Sequence, residues 1–266
     1  MPLHDQTFLF FGASGGIGRA LVPRLLQEGV RLILAGRNPA KLEQLRQELS
    51  EGTDRVSIVQ CDLGADDCAQ QLERLATENP EVDGIVHCAG QNDFASIEAL
   101  APEAIDRMLT VNLRSALLLA HTFVPRFRQR QKGQFVFVGS TFGSIGFPGY
   151  TAYCASKFGL RGFAEALRRE LADTPLQVLY MAPRATLTAM NPEAVNNLNK
   201  ALGNHMDPPE QVADDIVRAM REQRSQTFIG WPEKLFVRIN GILPRIVDRA
   251  LGKQLPTIKR FLEVKS

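Results

Sequence analysis

The sequence predicts an α/β protein with a doubly wound parallel sheet of about seven strands, of the Rossmann type, ending in an amphipathic helical extension. Three observations predict it. Short apolar runs alternate regularly with longer amphipathic segments, a glycine-rich turn joins the first run to the first helical segment, and no repeat or Pro/Gly/Ser-rich linker divides the chain. Runs that are apolar throughout belong to strands covered on both faces, which is what helical crossovers do to a parallel sheet. The 266 residues, 44% hydrophobic and 23% charged, can bury about three-quarters of the unfolded surface, enough for one sizeable domain.

Taken in order, the apolar runs at 8–11, 31–35, 56–59, 84–88, 134–139, 177–182 and 227–231 read as strands. Between them, 17–27, 39–49, 65–77, 102–127, 152–171 and 209–221 repeat their apolar residues at helical spacing. These elements assign residues 1–230 to the dinucleotide-binding domain. The stretch 184–207 is irregular and long for an internal connection, so it is expected to be a substrate lid. Residues 231–266 form a separate extension.

Composition narrows the function classes. A formal net charge of +2, with no basic run interleaved with aromatics before residue 231, speaks against nucleic acid as a partner. Charge is uneven, since residues 231–266 hold eight Lys/Arg and three Asp/Glu. Cys61, Cys68, Cys88 and Cys154 lack C-x-x-C spacing and read as reduced thiols of an intracellular protein. Neither a secretory signal nor an apolar stretch of membrane-spanning length is visible, so a cytoplasmic protein is expected, and no metal site.

Directly after the first strand comes Gly12-Ala13-Ser14-Gly15-Gly16-Ile17-Gly18. Glycines let backbone approach a pyrophosphate there, and the N-terminal dipole of the following helix favours its charge. The spacing G-x-x-x-G-x-G differs from the general G-x-G-x-x-G fingerprint. At the end of the second strand, where an NAD enzyme places an acid for the ribose hydroxyls, the chain reads Ala35-Gly36-Arg37-Asn38. With the acid missing and a guanidinium in its place, Arg37 suits a 2′-phosphate, and NADPH/NADP+ is the expected cofactor.

Tyr153 and Lys157 stand four residues apart on one helical face, and Ser140 lies at the carboxyl end of the fifth strand, where such sheets bind ligands. Hydride addition to a carbonyl develops negative charge on oxygen, which a positioned donor neutralises. A tyrosine with an ordinary pKa near 10 starts as a competent acid. A Lys157 ammonium about 4 Å away would stabilise the tyrosinate by roughly 4 kcal/mol at an effective dielectric of 20, on the order of three pKa units.

With these motifs the sequence resembles the short-chain dehydrogenase/reductase family from about residue 7 to 229. The matching features are the glycine turn, Asp62 after the third strand, His87-Cys88-Ala89-Gly90 after the fourth, Asn112, Ser140 and Tyr153-Cys154-Ala155-Ser156-Lys157. The resemblance implies an NADPH-dependent oxidoreductase acting on a ketone or aldehyde. Ser140 would hold the carbonyl, Tyr153 would be the acid/base, Lys157 would bind the nicotinamide ribose, and Asn112 would anchor a water linking Lys157 to solvent. Cofactor contacts would come from Gly12, Ser14, Gly16, Ile17, Gly18, Arg37, Asp62 at the adenine edge, Leu63, Ala89, Gly90, Tyr153, Lys157, Pro183 and Thr188. A homodimer or homotetramer is implied as well.

The sequence departs from the family pattern in three places. Phe11 replaces a threonine and Cys88 an asparagine, so the hydrogen bonds that tie these two strand ends together in the family are expected to be missing and packing to replace them. Arg184 follows Pro183 where a glycine is usual, and it either faces an anionic group of cofactor or substrate or points to solvent. On a helical wheel the tail sets Lys234, Arg238, Arg245, Arg249 and Lys253 against a stripe of Leu235, Phe236, Ile239, Leu243, Ile246, Val247 and Ala250, with a break near Gly241 and Pro244. Such a helix lies in a membrane interface or packs its apolar stripe on the domain or another subunit; packing is favoured. Similar tails in family members acting on lipid-like molecules point to a hydrophobic substrate. The rival reading is a non-catalytic nucleotide-binding sensor or scaffold, against which stand the retained Tyr153 and Lys157.

Overall fold

The computed structural model describes residues 3–49 and 52–262. The first two residues of the expected domain and the last four of the extension lie outside the described residues. Seven strands, β1 (Thr7–Phe11), β2 (Arg31–Gly36), β3 (Val56–Gln60), β4 (Gly84–His87), β5 (Gln134–Val138), β6 (Gln177–Ala182) and β7 (Gln226–Phe228), form one sheet in the order 3-2-1-4-5-6-7. Every pairing is parallel. The strand order reverses between β1 and β4, and the crevice above that point receives the loops that follow both strands.

Helices α1 (Gly16–Gln27), α2 (Pro39–Gln47), α3 (Cys68–Glu78), α4 (Pro102–Leu109), α5 (Ser115–Arg130), α6 (Thr151–Glu170), α7 (Glu193–Ala201), α8 (Pro209–Arg221), α9 (Glu233–Ile242) and α10 (Pro244–Leu262) surround the sheet. Strand side chains alternate between its faces. Phe8, Phe10, Leu32 and Leu34 pack with α1, α2 and α8, while Leu9, Phe11, Ile33, Phe135 and Phe137 pack with α3, α5 and α6. Both faces of the central strands are therefore sealed, while the edge strand β3 exposes Ser57 and Gln60.

The structure differs from the sequence expectation in two elements, at the helix over 102–127 and in the stretch 184–207. The single helix expected over 102–127 is interrupted by one π-turn at Thr110–Arg114, between α4 and α5. The stretch expected to be irregular contains α7, whose Val195 and Leu198 are buried. Its base is closed by a parallel bridge between Thr186 and Asp207, with Leu187 N–H donating to the Asp207 carbonyl and Asp207 N–H to that of Ala185. The tail forms two helices that turn at Leu243, between Gly241 and Pro244. α10 packs against α7, and Ile258 joins Phe94, Tyr150, Cys154, Val195 and Leu198 in a third apolar cluster.

Candidate active site

The glycine turn approaches the end of β4 closely. Gly12 has φ of +88°, and a Cβ there would overlap the backbone of Cys88 and Ala89; one at Gly18 would overlap the carbonyl of Gly12. Thr188, from the segment after β6, lies against Gly16. The α1 N-terminus has no side-chain cap and no acid in its first turn, so its N–H groups face the crevice with a dipole suited to phosphate. Ser14 and Arg37 are exposed beside it, while Leu63 is buried. Asp62 folds its loop, its Oδ1 accepting from Gly64 N–H at 2.9 Å. These positions fit a dinucleotide, pyrophosphate on the turn and adenosine toward Arg37 and Asp62.

The expected catalytic residues converge from three elements. Ser140 leaves β5 with its Oγ accepting from Phe142 N–H at 3.1 Å. Tyr153 and Lys157 project from α6. Lys157 is 4% exposed, and its Nζ donates to the Val138 carbonyl at 3.1 Å, 5.7 Å from the Tyr153 ring centre. Burial pushes the Tyr153 phenol above its ordinary 10, and a hydrogen bond with the Ser140 side chain pulls it part of the way back. Burial also brings Lys157 down from 10.5 to about 8, with Cys88 opposing.

The direct lowering of Tyr153 by Lys157 expected from their spacing is absent from this geometry. Lys157 is held at the strand end by Val138, and desolvation of the phenol dominates. Burial thus favours the protonated form of Tyr153.

Asn112 occupies the π-turn and is fully buried. Its side chain donates to the Gln91 carbonyl at 2.8 Å and to Ser156 Oγ at 3.0 Å, and accepts from Gln91 N–H at 2.7 Å. It therefore ties the loop after β4 to α6, and Gly90 lies between Asn112 and Lys157. A π-turn inserts a residue into a helix without ending it, and such turns gather at functional sites.

The strand ends carrying Phe11 and Cys88 are joined after all by a backbone bond, Cys88 N–H to the Phe11 carbonyl at 2.9 Å, with Phe11 packed in the core. Packing supplements that bond. Arg184 does not point to solvent. Its side chain, 9% exposed, is locked by Asp207, with Nη2–Oδ1 at 2.6 Å and Nε–Oδ2 at 2.9 Å, by Glu233 at 3.0 Å, and by the Trp231 carbonyl at 2.6 Å. Arg184 lines the cavity, but its guanidinium is taken up by Asp207 and Glu233, two carboxylates too distant in sequence for their pairing to be legible.

A cavity of about 480 Å³ joins these parts. The glycine turn lies at one end, with Ser140, Tyr153 and Lys157 along its length. The rest is mostly apolar, with Phe142, Phe147, Val195 and Leu198 together with Ile239, Ile246 and Val247 from the tail, while Asn199, His205, Glu233 and Gln254 also line it. Sequence reasoning did not single out Tyr180, which is buried and donates to the Ser140 carbonyl at 3.3 Å, bracing the turn that presents Ser140. Nor did it find the Asn240 amide, which reaches the Ser144 carbonyl at 2.8 Å and fixes α9 over the site. Inward-facing α9 residues were legible as an amphipathic stripe, but their partner was not.

Comparison with known proteins agrees with this arrangement. The chain is 32% identical over 227 residues to the glycine betaine reductase of Emericella nidulans, across 83% of this chain but only 18% of that much longer protein. It is 29% identical over 232 residues to the 3-ketodihydrosphingosine reductase of Bos taurus, across 82% of this chain and 69% of the relative. Its fold superposes on a short-chain dehydrogenase from Burkholderia cenocepacia J2315 in complex with NADP with a TM-score of 0.80 at 21% identity, covering 94% of this chain and 99% of the other. The family model for short chain dehydrogenases matches residues 6–199, a span that runs from β1 through α6 and most of α7, and the chain belongs to that family.

Proposed function

We propose that the protein reduces a ketone or aldehyde carried on a hydrophobic chain, using NADPH, with Tyr153 as the proton donor. The observation that carries this reading is one cavity that holds the glycine turn, Ser140, Tyr153 and Lys157 and then continues between apolar walls. NADPH when bound supplies the hydride. Ser140 Oγ orients the carbonyl oxygen and Tyr153 gives it the phenolic proton. The Ser140 hydroxyl favours the tyrosinate left behind, and Lys157 would hold the nicotinamide ribose. Asn112 holds the loop that separates it from Lys157, with a water anchored there as the proton route. Asp62, Leu63, Ala89, Gly90, Pro183 and Thr188 complete the cofactor contacts.

The choice of NADPH rests on Arg37, exposed at the end of β2 with no acid between Ala35 and Asn38. A hydrophobic chain is supported by the apolar walls and by the relationship to a 3-ketodihydrosphingosine reductase. The segment 184–207, with α7, acts as the lid over that chain, and Phe236, Ile239, Ile246, Val247 and Ala250 form its far wall. Four free cysteines suit a reducing, cytoplasmic setting. Leu109, Leu117 and Phe158, exposed on α4, α5 and α6, offer an apolar face for a homodimer or homotetramer.

The deciding experiment is NADPH oxidation against carbonyls graded by chain length, with NADH as control and Tyr153→Phe alongside wild type. Tyr153→Phe should bind NADPH normally and lose about 10²–10⁴-fold in turnover, the usual contribution of a positioned general acid. Turnover within a few-fold of wild type would remove Tyr153 from the mechanism.

A further inference from the structure

The two C-terminal helices present two different faces. Phe236, Ile239, Ile246 and Val247 line the cavity, so the apolar stripe is partly satisfied by the enzyme's own site. The outer face is mixed. Along α9 it carries Lys234, Leu235, Arg238 and Ile242, all exposed, and at the turn into α10 it adds Leu243 and Ile246. Ile242 is 78% exposed and Leu243 54%. α10 then continues with exposed Arg245, Arg249 and Lys253. From Lys234 to Leu262 the sequence holds seven Lys/Arg and a single acid, Asp248.

We infer that the α9–α10 corner docks on an anionic lipid bilayer and that the active-site cavity receives its substrate from that surface. The inference rests on the proposed reduction of a hydrophobic carbonyl for the identity of the cargo, but the docking surface stands on its own residues. Exposed branched aliphatics at a helix corner, ringed by cations, match the acyl boundary and the anionic headgroups of one leaflet. Phe236 and Ile246 belong to both features, lining the cavity while remaining about half exposed. The cavity wall therefore reaches the docking face. No helix among the described residues is long and apolar enough to cross a membrane, so the contact is interfacial.

Charge decides among the occupants. A second copy of the chain docked by the same corner would bring Arg238, Arg245 and Arg249 against their own counterparts, with one Asp248 per chain to offset them. A nucleic acid would satisfy the cations but leave Ile242 and Leu243 in water.

The test uses the full chain in flotation with vesicles of phosphatidylcholine alone and of phosphatidylcholine with phosphatidylglycerol. Binding should appear only with the anionic vesicles and weaken as salt is raised. Arg245→Ala with Arg249→Ala should lower partitioning roughly 30-fold, about fivefold per cation. Ile242→Asp with Leu243→Asp should abolish it. Both variants should bind NADPH and reduce a short soluble carbonyl as wild type does, yet lose reduction of a long-chain ketone supplied in anionic vesicles. Wild type that stays out of the anionic vesicle fraction, or variants that float as wild type does, would overturn the inference. So would self-association or DNA binding through the same residues without vesicle binding. Because flotation is read without turnover, failure of the carbonyl-reductase reading leaves this result interpretable: vesicle binding without turnover sinks the reaction and keeps the surface.

Discussion

Replacing Arg184 with Ala should destabilise the protein more than any other single surface-distal change proposed for this site, without altering substrate preference by charge. The guanidinium makes two short contacts to Asp207 and one to Glu233, and its removal leaves Asp207, 1% exposed, charged and buried. The nearest remaining cation is the His205 ring at 3.7 Å, which is 70% exposed and charged only when protonated. Glu233 is less affected because its side chain is 24% exposed and can rehydrate. Breaking a buried pair from one side costs about 3–5 kcal/mol, against about 0–1 for an exposed pair. At roughly 2–4 °C per kcal/mol for a chain of this size, Tm should fall by about 6–20 °C. Thermal and urea unfolding at pH 7 measure this. The double variant Arg184→Met, Asp207→Leu should recover most of the loss, since apolar groups of similar volume often replace a buried pair without penalty. A single Arg184→Ala variant within about 1 kcal/mol of wild type would refute the reasoning, and a selective loss of acidic substrates would return Arg184 to the ligand.

Three further outcomes are expected. Arg37→Ala should weaken NADPH by about 1.5–3 kcal/mol and leave NADH nearly unchanged; a calorimetric titration with both cofactors that finds equal losses would remove Arg37 from the 2′-phosphate. Lys157 has a folded pKa of about 8 against an ordinary 10.5, so between these values the unfolded chain binds more protons. Wild type should gain stability relative to Lys157→Met as pH rises from about 8 to 10.5, by on the order of 3 kcal/mol; parallel pH profiles in denaturant melts would contradict the burial argument. Ala250→Phe, at the tail side of the cavity, should raise KM for long-chain carbonyls and spare short ones, and an equal change in both would move the chain path elsewhere.

The fold was legible because the signals that encode it are local. All seven strands lie within a few residues of the apolar runs, and Ser140, Tyr153 and Lys157 meet because strand ends and helix faces follow from chain order. What was illegible depends on pairing at long range. Arg184 finds Asp207 and Glu233 across 23 and 49 residues, and no local pattern marks either acid as a partner. The tail's apolar stripe showed amphipathicity, but a stripe does not name the surface it covers. α7 escaped because its polar run, Asn196-Asn197-Leu198-Asn199, has low helix propensity. Burial of Val195 and Leu198 against α10 and the site compensates for it.

These placements share an electrostatic consequence. Lys157 is buried against a carbonyl with no carboxylate partner among the described residues, α1 begins without an acid or a side-chain cap, and Arg37 is exposed with no ion pair among the described residues. Elsewhere the chain does neutralise its buried or half-buried cations, as Arg184 with Asp207 and Arg130 with Asp83 demonstrate. In the cleft, Lys157, the α1 terminus and Arg37 are therefore left without a carboxylate partner among the described residues. A buried ammonium in that position costs stability, which is why Lys157 titrates near 8 rather than 10.5. An anion in the cleft would offset the cost at Lys157 and suit both the helix terminus and Arg37. Under the proposed use of NADPH, selection of the phosphorylated dinucleotide would follow from the missing acid after β2 as much as from Arg37, because an acid there would repel the phosphate that the guanidinium attracts.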